Sequence, residues 1–128
     1  MQKNDEYMML NIIEMCASIQ VHLARVSHQL VLWNKSGLVD IDSGFCTGSS
    51  IMPHKKNPDV LELIRGNSAR AIGDVTEVFS LLKSLPLKSY NDQIYNKMIE
   101  NIKITSQVLK IYSKMIKTLK IPCLKKSV

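Results

Sequence analysis

Cysteine is scarce in this sequence. Cys16, Cys46 and Cys123 are odd in number, far apart, and lack the spacing of a metal-ligand set. A disulfide scaffold and a zinc motif are therefore excluded, and reduced thiols of a cytoplasmic protein are expected, with no metal and no cofactor. Long apolar runs are missing too: none approaches the ~20 residues of a membrane span, so no membrane partner is expected. The opening Met1-Gln2-Lys3-Asn4-Asp5 lacks the basic head and apolar stretch of a secretory leader. Acidic residues are outnumbered 11 to 17, leaving a net charge of +6. The excess is lysine in the second half, where Lys110, Lys114 and Lys117 share one helical face. Arginine is scarce there and aromatics do not interleave with the basic residues. That is the pattern of a solvated helix surface, and nucleic acid is not the expected partner. Internal repeats and low-complexity segments are absent.

What is present is apolar residues at helical spacing, 45% of the 128 residues in all. That supports a modest core but is short for a complete enzyme. A first helix is expected over residues 4–36, with Met8, Met9, Ile12, Ile13, Cys16, Ile19, Leu23, Val26, Leu30 and Trp33 recurring at i, i+3, i+4 and i+7. Asn4 or Asp5 can cap its start, and Gly37 sits at its left-handed C-cap. A second stripe, Leu10, Ala17, Ala24, Val31 and Leu32, widens the apolar face. Such a rod of roughly 30 residues is ~45 Å long, and one small domain does not cover it, so partner helices are implied. His22 and His28 read as structural, and Arg25 as a salt-bridge anchor. A second helix is expected over residues 58–83, with Gly66, Ala69, Ala71 and Gly73 permitting a close neighbour or a bend. A third follows over residues 95–119, then a frayed tail. The fold class is all-α, a long-helix bundle fragment, with a bundle portion at 1–84 and a second portion at 85–128.

Two polar stretches interrupt the helices. Residues 47–58 read Thr-Gly-Ser-Ser-Ile-Met-Pro-His-Lys-Lys-Asn-Pro, which fits no helix or strand interior. Ser49 and Ser50 offer hydroxyls, Lys55 a cation and Asn57 a two-sided hydrogen bonder, groups suited to a carboxylate. Asn57-Pro58 has the grammar of an N-cap followed by a first helical residue, which turns the positive helix end towards the loop. An ordinary solvated connection has the same residue types. Gly44 and Gly48 bracket the approach and suit a hinge or simple turns alike. Residues 88–97, Lys-Ser-Tyr-Asn-Asp-Gln-Ile-Tyr-Asn-Lys, suit either a polar ligand or a wet helix cap.

The loop resembles the signature of the fumarase/aspartase superfamily, Gly-Ser-Ser-x-Met-Pro-x-Lys-x-Asn-Pro, at every fixed position from Gly48 to Pro58. The flanks Phe45-Cys46-Thr47 and Asp59-Val60-Leu61-Glu62-Leu63-Ile64-Arg65-Gly66 look like argininosuccinate lyases, as does the helix around residues 20–33. The resemblance implies a β-elimination of argininosuccinate to arginine and fumarate. In it Ser49 is the catalytic base, and Ser50, Lys55 and Asn57 bind substrate as charge grows on its carboxylate. Tyr90, Gln93 and Lys97 are the implied second set of substrate contacts. Here the pattern departs from type, because Asp92 and Gln93 are adjacent and Lys97 lies four residues past Gln93 rather than three. No Thr-His-x-x-Gln segment with the family's catalytic histidine occurs, and His54 fills a variable position. The resemblance implies a homo-oligomer, a tetramer, whose sites are built from several subunits. The expectation is a fragment inactive alone, with a separate chain as a further partner supplying the missing N-terminal segment. The alternatives are a non-catalytic helical oligomerisation module and, further off, a basic nucleic-acid-binding protein.

Overall fold

The computed structural model describes the backbone of residues 3–48, 56–83 and 91–122, and the side chains of 6–46, 58–83 and 91–122. Three helices dominate: α1 (Lys3–Ser36), α2 (Asp59–Leu82) and α3 (Asn91–Thr118). All three expected helices are present, with α3 starting four residues earlier than its apolar pattern suggests. Asn91 and Asp92 tolerate a first helical turn, where orphan N–H groups favour polar and acidic side chains.

The helices run up, down and up. At one end Met9, Leu10 and Ile13 of α1 meet Val78 of α2 and Ile94 of α3. At the other, Leu23, Leu30 and Val31 of α1 meet Leu61 and Ile64 of α2 and Val108, Tyr112 and Met115 of α3. Thus α2 is antiparallel to α1 and α3 is parallel to it. Ile13, Ile41, Leu61, Val78, Ile94 and Met115 are fully buried. Each contributes roughly 1.5–3 kcal/mol relative to an exposed side chain. Between the two apolar clusters lies a polar layer. In it Gln20 Nε2 donates to Thr105 Oγ1 at 2.9 Å across α1 and α3, both residues buried.

Gly37 closes α1 with φ +82, the left-handed conformation the sequence calls for there. The chain then turns over the end of the bundle. Ile41 drops into the larger core, its N–H held by Asn34 Oδ1 at 3.1 Å. A pair of backbone hydrogen bonds, Asp40 N–H to Lys120 O (2.8 Å) and Lys120 N–H to Asp40 O (3.1 Å), ties this segment to the residues after α3. A short 3-10 turn, Ser43–Phe45, follows, capped by the Asp42 carboxylate accepting from Gly44 N–H.

Three local expectations need correction. Gly66 and Gly73 meet no helix of this chain: among the described residues a Cβ at either has nothing within 4 Å. Ala71 is the buried small residue of that group, because it alone falls on α2's inward phase. Arg25 forms no ion pair among the described residues and instead lines an open groove between α1 and α2, with Glu14, His22 and Ile72. The helix cap also slips by one residue: Pro58 is the N-cap of α2, with no side-chain cap bond, and Asp59 is its first residue. Pro58 has ψ 70, outside the helical well, while its carbonyl already accepts from Leu61 N–H at 3.0 Å.

Candidate functional site

The two ends of the Ser-Ser loop are brought together by a minimal ladder. Strand β1 (Thr47–Gly48) pairs antiparallel with β2 (Lys56–Asn57), Thr47 opposite Asn57 and Gly48 opposite Lys56. The sequence gives no hint of this pairing, because two residues are too few to show alternation. Its consequence is geometric. The segment between the strands is closed at its base, and that base abuts the first turn of α2. The helix's positive end therefore lies behind the loop's return strand, where an anion gains from the dipole. Asp59 and Glu62 occupy the same first turn and offset part of that field.

Of the residues singled out in the loop, Ser49, Ser50 and Lys55 lie outside the described residues. Asn57 is placed by its backbone, in register with Thr47. The approach to the loop is anchored firmly: Phe45 and Cys46 pack against the larger core cluster, beside Ile41 and the end of α3.

Tyr90 also lies outside the described residues, whereas Gln93 and Lys97 sit on the first turns of α3, facing α2. Lys97 Nζ is 3.0 Å from both Asp74 Oδ1 and Glu77 Oε2. Gln93 Nε2 donates to Glu77 Oε1 at 3.3 Å. Asn101 Nδ2 donates to Asp74 Oδ2 at 2.9 Å and to the Lys97 carbonyl at 2.9 Å. Arg70 and Glu100 form a further ion pair along the same seam. The Lys97 pKa is raised above the usual lysine value, first by the hydrogen bond to Asp74 and then by that to Glu77; partial burial pulls the other way. Any further carboxylate reaching Lys97 has to compete with the two already in place.

Asp74, Glu77 and Asn101 were not picked out from the sequence. One signal was there to be read. Asp74 follows Leu61, Ile64, Ser68 and Ala71 on the inward phase of α2, and an acid at a core position requires a partner. Asp74 is 6% exposed and Asn101 1%.

Among the described residues no group of His, Cys, Asp and Glu could hold a metal ion, and no helix is long and apolar enough to cross a membrane.

A family model described as "Lyase" matches residues 1–73. The argininosuccinate lyase of Halorhodospira halophila is 51% identical over 84 residues, covering 62% of this chain and 18% of the relative. That of Methylococcus capsulatus is 54% identical over 79 residues, 59% of this chain and 17% of the relative. The Acetivibrio thermocellus argininosuccinate lyase is 39% identical over 120 residues, covering 75% of this chain and 26% of the relative. Among solved structures, a fumarate lyase:delta crystallin from Brucella melitensis, bound to cobalt, superposes with a TM-score of 0.77. It is 20% identical and the match covers 88% of this chain and 26% of that one, a likeness of fold. The chain thus spans about a fifth to a quarter of the length of these relatives.

Proposed function

Because this chain belongs to the lyase family, we propose that it supplies the signature-loop portion of an argininosuccinate lyase-type active site. The reaction is a β-elimination releasing fumarate and arginine. The observation that carries this reading is the closed loop base: β1 and β2 bring Gly48 and Lys56 side by side directly ahead of α2. That geometry suits the chemistry of the residues between and beside the strands.

Ser49 takes the proton next to a substrate carboxylate, which then becomes a dianionic aci-carboxylate. A serine hydroxyl is too weakly acidic for this unless its alkoxide is stabilised. The Lys55 ammonium and the positive end of α2 supply that stabilisation. Ser50, Lys55 and Asn57 hold the carboxylate where charge develops, so their interactions strengthen on the way to the transition state. Tyr90, Gln93 and Lys97 form a second set of contacts with the substrate, available when α3 is not engaging α2 through Gln93 and Lys97.

The site is completed by other polypeptide, and the assembly is a homo-oligomer, a tetramer of long helices in the cytoplasm. Support for association comes from the large apolar side chains left on the outer faces of the helices, Met15, Leu63, Ile72 and Phe79 among them, each more than half exposed. These 128 residues expressed alone are expected to release no fumarate from argininosuccinate above the blank in a continuous absorbance assay. Turnover by the isolated polypeptide contradicts the shared-site reading.

A non-catalytic helical module is the second reading, and the same apolar faces favour it. The two diverge on whether changing Ser49 in a completed site matters.

A further inference from the structure

The three helix pairs are not joined in the same way. Helix α1 meets its neighbours through the apolar clusters, with one buried hydrogen bond from Gln20 to Thr105 of α3, whereas α2 and α3 add to those clusters a row of charged and amide contacts. On α2, Arg70, Asp74 and Glu77 follow one another at i, i+4 and i+7. On α3, Gln93, Lys97, Glu100 and Asn101 stand at i, i+4, i+7 and i+8, running the opposite way. Glu77 takes Gln93 and Lys97, Asp74 takes Lys97 and Asn101, and Arg70 takes Glu100.

The two halves of α3 also differ in their apolar anchorage. Over residues 102–118 the helix buries Val108, Tyr112 and Met115. Over residues 91–101 the one fully buried apolar residue is Ile94, with Met98 and Ile99 partly covered, and the other inward position is taken by Asn101. The first half of α3 is therefore held by Lys97 and its carboxylates as much as by hydrophobic contact. Lys97 is the hub, with a carboxylate on either side at 3.0 Å.

We propose that residues 91–101 form a strap latched to α2 by Lys97, able to lift from α2 while the α1–α2 pair and the second half of α3 stay packed. Local opening of this kind draws on the least anchored cooperative unit of a fold. Removing Lys97 leaves Asp74 buried with its amide partner alone, an uncompensated charge that opposes closure. Removing both charges relieves it. Lys97 is thereby a positioning residue for α3. One consequence rests on the functional reading above: the strap starts directly after Tyr90, and lifting it frees the Lys97 ammonium for a substrate carboxylate. The strap itself does not depend on that reading.

Hydrogen–deuterium exchange on the full 128-residue chain tests it. Lys97→Met is expected to speed exchange of amides 94–101 by roughly tenfold or more, with α1 and residues 104–118 changed less than about twofold. Adding Asp74→Asn to Lys97→Met is expected to restore much of the protection, the coupling a double-mutant cycle reads. In the unmodified chain, raising salt is expected to speed the same amides selectively. Unchanged exchange in Lys97→Met overturns the strap. So does an increase spread evenly over all three helices, or loss of the whole fold, since either makes the strap inseparable from the bundle.

Discussion

Among the described residues, two ionisable side chains bear on the response to alkali. Tyr112 is buried in the larger core, and desolvation raises its phenol above the ordinary 10.0, with the Ser27 hydroxyl opposing. Lys97 is raised above 10.5 by Asp74 and Glu77. Both bind their proton more tightly in the folded chain than in the unfolded one. Their contributions are therefore whole below the unfolded values and are lost as pH climbs past them. The urea midpoint is expected to fall between about pH 9 and about pH 11, and Tyr112→Phe to fall less over that interval. An identical fall in the variant shows that the phenol takes no part.

Among the elements, helix existence was legible and helix pairing was not. The 3.6-residue spacing of Met9, Ile13, Cys16, Leu23 and Leu30 marks α1 almost to its ends, and Gly37 marks its stop by backbone chemistry alone. Spacing says which face is apolar but not which neighbour covers it. Gly66 and Gly73 looked like contact points, and among the described residues of this chain nothing approaches them. Leu63, Ile72 and Phe79 are apolar yet exposed, because they lie on faces of α2 that this chain alone does not cover. The polar seam was hidden for a different reason. Its partners are distant in sequence, and a carboxylate on a helix is ordinarily solvated unless its phase is checked.

The segment leading into the loop is the other element whose role only packing shows. Ile41 is fully buried and belongs to the same cluster as Leu61, Tyr112 and Met115. It therefore couples the approach to β1 to all three helices. Ile41→Ala is expected to lower unfolding stability by about 2–5 kcal/mol in a urea titration, the range for a large-to-small change in a packed core. A loss below about 1 kcal/mol means the segment rides on the surface rather than anchoring the loop.

At the scale of the whole molecule, the apolar faces matter more than any single contact. Ile72 and Phe79 lie on outer faces of α2, each 52% exposed, and Tyr7, Met8 and Met15 are more exposed still on α1. A 14.5 kDa chain with these faces is expected to sediment as an oligomer. Ile72→Glu combined with Phe79→Glu is expected to shift it towards monomer with the helical content kept, since exposed positions carry little of the fold's stability. A monomeric parent chain removes the support for a shared site.

The loop's motif was the most legible part of the sequence, because its residues are contiguous and their spacing is specific. The structure adds the closed base at β1 and β2 and the helix end behind it. Whether that arrangement is catalytic is decided most directly by grafting. A chimera in which this chain replaces the matching segment of a relative such as the Halorhodospira halophila argininosuccinate lyase is assayed for fumarate release, with and without Ser49→Ala. The account predicts turnover by the chimera and a fall of roughly 10²–10⁴-fold in kcat on losing the Ser49 hydroxyl. A correctly assembled chimera that is inert, or one indifferent to Ser49→Ala, contradicts it.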